Sequence, residues 1–188
     1  GMLRILISKF IIDSALDQRE KVACINNLKN LHALFAATYA VEGWPQVPSG
    51  IPLGSIAEQK WWLDMTKKEL GLSEKNWECP TLRRRFRSEK ASERPLIHYL
   101  PTPFSKHPNR ANQWPQMPWF IEISDAHGGG NLLILQTGTV VQSNAELLIF
   151  FIKIPLTDLT EFQKYKQYND YPTSHLTNSD SLYVDKGN

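Results

Sequence analysis

Apolar positions near the start of the chain recur at three- and four-residue spacing. Ile25, Leu28, His32, Phe35 and Tyr39 fall on one line at that spacing, and Leu31 and Leu34 widen it. The stretch from 14 to 39 contains no Gly or Pro, so it predicts an amphipathic helix with one buried face. Arg19, Glu20, Lys21 and Lys29 lie largely off that face. Ser14 with Asp17 offers a weak capping box, and the apolar segment Leu3 to Ile12 either precedes this helix or extends it. Gly43 and Pro45 end the pattern.

A second helix is predicted over 55–70. Ser55 and Glu58 form a capping box, Gly71 stands where a C-terminal cap belongs, and Ile56, Leu63 and Leu70 share a face with Trp62. Pro45, Pro48 and Pro52 restrict the loop before it. Residues 72–118 read as an extended, proline-punctuated excursion with a short strand at Leu96 to Leu100. Period-two and continuous apolar runs then predict strands over 119–124 and 131–136, joined by a glycine-rich loop. Gln136-Thr137-Gly138-Thr139 is a tight-turn signal, and Val140 and Val141 open a further strand. Beyond Asn144, Leu147 to Ile152 reads as a buried segment and Leu156 to Tyr168 as a terminal helix. The polar tail from Asn169 reads as mobile or draped over the surface. Helices first and strands later is an α+β order.

Composition narrows the class. The 188 residues suit one domain, and 41% hydrophobic with 21% charged residues is normal for a folded chain. A net charge of +2 supplies no global field for nucleic acid or an anionic membrane. Six Trp and twelve Pro suit ordered loops pinned by aromatic side chains. The apolar runs Ile5 to Ile12 and Leu147 to Ile154 fall short of the roughly 18 residues that a membrane span needs. Gly1 ahead of Met2 reads as a residue left by tag removal. Cys24 and Cys79 permit one disulfide or two buried thiols, and no Cys/His group has zinc-site spacing along the sequence.

Each candidate for chemistry has a structural alternative. Asp125 and His127 beside Gly128, Gly129 and Gly130 suggest a general base, yet no Ser or Cys sits in a nucleophile elbow. The structural alternative has Asp125 and His127 hydrogen-bonded across a hairpin whose glycines adopt positive φ. Phosphate loops lead from a strand into a helix, whereas this glycine run leads into an apolar strand. Arg83, Arg84, Arg85, Arg87, Lys90 and Arg94 form a basic cluster that Glu89 and Glu93 dilute, which suits a solvated loop. Asp125, Glu78 and Glu122 are oxygen donors for calcium, without a calcium-loop pattern. His98, His107 and His175 are isolated, and His32 reads as a satisfied core residue. Trp44, Trp61, Trp62, Trp114 and Trp119 suggest either a sugar-stacking platform or loop packing, and packing is the expectation.

Arg19-Glu-Lys-Val-Ala-Cys24-Ile-Asn-Asn27-Leu28-Lys-Asn-Leu31 resembles the segment that follows the membrane-spanning half of the first helix in type II secretion pseudopilins. The match continues in order through Tyr39, Gly43-Trp-Pro45, Trp61-Trp62 and Cys79-Pro80. It closes with the hairpin from Asp125 and His127-Gly128-Gly129-Gly130-Asn131 to Thr137-Gly138-Thr-Val140. It covers residues 14–141. Thr137 stands where the family has Asp, and the family's prepilin signature is absent from Met2 to Ile7.

The resemblance implies a pilin-like α+β domain over 2–144: a long N-terminal helix (14–39), a second helix (55–70) and a small antiparallel β-sheet (119–143). Residues 145–188 would be a C-terminal extension. It also implies a non-enzymatic, extracytoplasmic subunit of a type II secretion or type IV pilus-like assembly, anchored through a segment upstream that is trimmed or lost. Its partners would be other pseudopilin subunits, met through the first helix, and secreted cargo. No nucleic acid, cofactor, metal or catalytic residue is expected. The alternative is a glycan- or peptide-binding module that uses the Trp-rich loops.

Overall fold

The structure, a computed structural model, describes residues 2–52, 55–102, 104, 110–113 and 118–143. Trp114, His107, His175 and the segments expected beyond Asn144 lie outside the described residues.

The first helix, α1, runs unbroken through Met2–Glu42. Ser14 is interior to it, so its capping signal is unused and the apolar stretch before it continues the same helix. Gly43 closes the helix at φ 96°, with its N–H on the Tyr39 carbonyl at 3.1 Å. The buried line is Cys24, Leu28, Leu31, Phe35 and Tyr39. Leu34 is exposed, contrary to the wider stripe expected. At about 100° per residue it lies roughly a quarter-turn away from that line.

Helix α2, Ile56–Leu70, begins and ends where its signals stand. The Ser55 hydroxyl accepts from the Glu58 N–H, and Gly71 adopts the left-handed conformation. The face is rotated from the expected one. Glu58, Gln59, Trp62 and Thr66 are buried, while Ile56 is exposed. Hydrogen bonds offset the burial of these polar groups. The Trp62 indole donates to Glu58, the Trp77 indole donates to the Thr66 hydroxyl, and Gln59 Oε1 accepts from the Leu96 and Ile97 amides.

The excursion after Gly71 is not extended. It coils through a 3-10 turn at Glu74–Trp77, a short helix α3 at Pro80–Arg85 and further turns at Phe86–Ser88 and Ala91–Glu93. Pro80 is the first residue of α3, where a helix has no use for the missing N–H. A one-turn helix, α4, follows at Arg110–Gln113.

Four strands form an antiparallel meander in the order β1-β2-β3-β4: Tyr99–Pro101, Pro118–Glu122, Asn131–Leu135 and Val140–Ser143. Ile121 pairs with Leu133 and Leu133 with Val141. The described part is therefore α+β, with α1 laid against the sheet and α3.

Phe35 is the hub between these layers. Its ring meets Tyr39, Trp44, Trp62, Trp77 and Phe120, with centroids 4.9–6.3 Å apart. Trp119 completes the cluster through Trp44 at 5.2 Å. Four tryptophans, Trp44, Trp62, Trp77 and Trp119, are thus inside the molecule rather than on a sugar-stacking surface.

Candidate functional site

Four residues from four places in the chain converge at the junction of α1, α3 and the sheet. Cys24 belongs to the buried line of α1, and Cys79 caps the N-terminus of α3. Glu122 ends β2, and His127 lies in the loop between β2 and β3. The two sulfurs are 2.7 Å apart and both thiols are free. His127 Nε2 stands 3.6 Å from Cys79 Sγ and 3.5 Å from Glu122 Oε1. One donor atom from each residue fits within 4.8 Å of all the others. Cys24, Cys79 and Glu122 are fully buried, and the His127 side chain is 2% exposed.

Sequence features around the cluster explain how it is held. Asn27 Nδ2, one turn beyond Cys24, donates to the Glu78 carbonyl at 2.8 Å and so ties α1 to the residue before Cys79. Glu20 of α1 accepts from Thr81 and Arg84 of α3. The Cys79 N–H donates to His98 Nδ1 at 2.9 Å. On the far side, the Arg85 guanidinium donates to the Asp125 and Ala126 carbonyls and fixes the start of the loop. Asp125 Oδ2 accepts from the Gly130 N–H, closing the loop on itself.

Gly128, Gly129 and Gly130 have φ of 74°, 90° and 106°, a run of left-handed backbone that only glycine adopts readily. That reversal turns the His127 side chain inward while the chain re-enters the sheet at Asn131. Asn131 Nδ2 donates to the Glu122 carbonyl, and the Leu132 N–H donates to Glu122 Oε2. Gln142 donates to the Gly128 and Gly130 carbonyls and accepts from Lys21 of α1.

The electrostatics follow from burial and these neighbours. Burial opposes the His127 cation, yet the Cys79 sulfur and the Glu122 carboxylate raise its pKa to about 9. Burial pushes the Cys79 thiol far up. It also lowers His98 to about 4, helped by the Arg83 charge. His98 is therefore neutral at pH 7, with Nδ1 as the acceptor.

This arrangement does not form a nucleophile relay. Such a relay needs the nucleophile on one imidazole nitrogen and the carboxylate on the other. Here Nε2 faces both Cys79 and Glu122, and Nδ1 has no hydrogen-bond partner among the described residues.

The structure places the residues singled out from the sequence as follows. Cys24, Cys79 and His127 meet in the cluster, with Asn27, Pro80, Asp125, the three glycines and Asn131 around it. Leu28 belongs to the hydrophobic core. Gly138 lies apart, in the β3–β4 turn against His32, whose Nε2 bonds the Gln136 carbonyl at 2.7 Å. Asp125 bonds across the hairpin loop to Gly130 and the glycines adopt positive φ, as expected, whereas His127 points inward to Cys79 and Glu122 instead. The basic cluster is solvated as expected, with Arg83, Arg84, Arg85, Arg87 and Lys90 exposed, but Arg83 to Arg85 lie on α3 rather than in a loop. Arg83 and Arg84 pair with Glu78, Asp17 and Glu20, and Arg85 and Arg94 bond backbone carbonyls. Glu122, an oxygen donor for calcium by sequence, lies beside two sulfurs and an imidazole instead. The signal for a buried role was a single carboxylate inside the apolar run Trp119 to Ile123.

Comparison of the chain with protein-family models, curated proteins and solved structures finds no match.

Proposed function

We propose that this chain is a non-enzymatic, pseudopilin-like subunit that assembles with copies of itself through the N-terminal half of α1, outside the cytoplasm. The observation that carries this reading is the division of labour along one helix. From Cys24 to Tyr39, α1 is packed against the sheet and the short helices, which with it make the head of the molecule. From residue 11 to 19 every position is exposed, including Ile11 at 60%, Ile12 at 65% and Leu16 at 41%. An isolated helical segment is marginal in water, and β-branched residues gain nothing there without a partner. A matching helix from a second subunit would cover these side chains and give the projecting segment a reason to be helical. No helix among the described residues is long and apolar enough to cross a membrane.

The fixed head fits the same role. Its tryptophans serve packing, and its buried cluster is closed to a polymeric substrate, so binding would fall to the outer loops and to the helix. A photo-cross-linking amino acid at Leu16 tests the assembly. Irradiating cells that produce the protein is expected to give a ladder of cross-linked multiples of the chain. A band at the monomer mass alone, from folded protein, would overturn the proposal.

A further inference from the structure

The four-residue cluster offers more than a structural junction, and its chemistry is independent of the assembly reading. A carboxylate taken fully out of water needs charge and hydrogen-bond compensation. Glu122 receives one amide bond at Oε2, while Oε1 has no hydrogen bond among the described residues. The nearest base is His127 Nε2 at 3.5 Å, beyond the roughly 2.7–3.2 Å of an N–H···O bond. The same nitrogen is also 3.6 Å from Cys79 Sγ. These separations are poor for hydrogen bonding between Glu122 and His127, but they match two ligands of one ion. Ligands about 2.0–2.3 Å from a tetrahedral zinc lie roughly 3.3–3.8 Å from each other.

We infer that Cys24, Cys79, Glu122 and His127 form a structural binding site for a zinc ion. Two soft sulfurs, one imidazole and one carboxylate are a donor set that zinc accepts in tetrahedral geometry, and a closed four-ligand site is the structural rather than the catalytic kind. Each thiol gives its proton to solvent as its thiolate binds, and His127 Nε2 likewise releases the proton it carries in the empty site, since it ligates as a neutral imidazole. The sulfurs, now 2.7 Å apart, would each move by about half an ångström to reach tetrahedral separation.

The surrounding bonds hold the donors from behind. Asn131 and the Leu132 amide grip Glu122, and the Cys79 amide is bound to His98. The ion would clamp α1, α3 and the β2–β3 loop together, which a disulfide between the two cysteines would do for only two of those three. A disulfide would also leave Glu122 Oε1 without a partner.

The test uses the whole chain, purified without reductant from zinc-supplemented culture. Elemental analysis is expected to find one zinc per chain. Replacement by cobalt(II) is expected to give thiolate-to-cobalt charge transfer in the near ultraviolet and visible bands of tetrahedral intensity. A mercurial that blocks thiols should release the zinc from the unsubstituted protein, a measurement that needs no variant to fold. Where Glu122→Gln and Cys79→Ser remain folded by circular dichroism, both should bind zinc more weakly. Cys79→Ser should lose more than the roughly 10–100-fold that loss of an outer-shell partner costs.

Several outcomes would overturn the inference. One is a chain lighter by two hydrogens and resistant to alkylation, which reports a Cys24–Cys79 disulfide even if zinc binds after reduction. Another is two free thiols with zinc well short of one per chain. A third is zinc that survives both the mercurial and Cys79→Ser.

Discussion

His32 joins α1 to the β3–β4 turn and to Trp119 of β2. Its Nε2 bonds the Gln136 carbonyl, its ring lies 4.6 Å from that of Trp119, and a Cβ on Gly138 would come within 3.4 Å of it. With φ at 78°, Gly138 has two reasons to be glycine. Burial lowers the His32 pKa below its ordinary 6.5, against the bond to Gln136. The unfolded chain therefore takes up the proton first as pH falls. The contribution of His32 to stability is full above about pH 6.5 and is lost as pH drops towards the lower folded value. His98 acts in the same direction, so a single variant has to isolate the effect. Urea denaturation is expected to show the native chain losing more stability than His32→Gln between about pH 7.5 and about 5.5. Parallel losses in the two proteins would contradict this account. At this scale the sequence identified Cys24, Cys79 and His127 as residues of interest, but not that they meet. Proximity between positions 24, 79 and 127 is made by tertiary packing, which no local spacing encodes, and the place of Glu122 inside the apolar run Trp119 to Ile123 signals burial without saying what it meets.

The elements were legible where local chemistry decides them. Ser55, Glu58 and Gly71 mark both ends of α2, and the glycine run and Thr137-Gly138 mark the two connections of the β2-β3-β4 meander. They were illegible where partners decide. The buried face of α2 carries Glu58, Gln59 and Thr66, which count as polar until the Trp62 and Trp77 indoles and the Leu96 and Ile97 amides are placed beside them. The turns of residues 72–93 are short and depend on packing under α1, so proline punctuation suggested extension instead. Two substitutions contrast what holds these elements together. Phe35→Ala removes a fully buried ring at the centre of five aromatic contacts and is expected to cost about 3–5 kcal/mol by chemical denaturation. Arg84→Ala removes ion pairs to Asp17 and Glu20 from a side chain that is 43% exposed, and solvent screening should keep its cost within about 1 kcal/mol. A larger loss for Arg84→Ala than for Phe35→Ala would mean that the α1–α3 clamp, rather than the aromatic hub, organises the head.

For the molecule as a whole, the α+β order was readable because long-period and short-period apolar patterns occupy different halves of the chain. How α1 is divided was not, because the periodicity stops near residue 24 while the helix does not. On the proposed reading, that division separates stability from association. Ile11 and Ile12 are about two-thirds exposed and touch nothing in the buried core, so replacing both with Glu should leave the melting temperature of the head unchanged within a degree or two. The same pair of charges on a helix–helix interface would have to be desolvated without a partner, which costs several kcal/mol per charge. Sedimentation velocity is therefore expected to show the native chain as a concentration-dependent mixture of oligomers, and the Ile11→Glu/Ile12→Glu variant as a monomer with the same unfolding curve. A variant that sediments like the native protein would place any self-association elsewhere on the molecule. One that loses its unfolding transition would mean that this stretch of α1 supports the head after all, and the proposed separation between associating helix and folded head would fail.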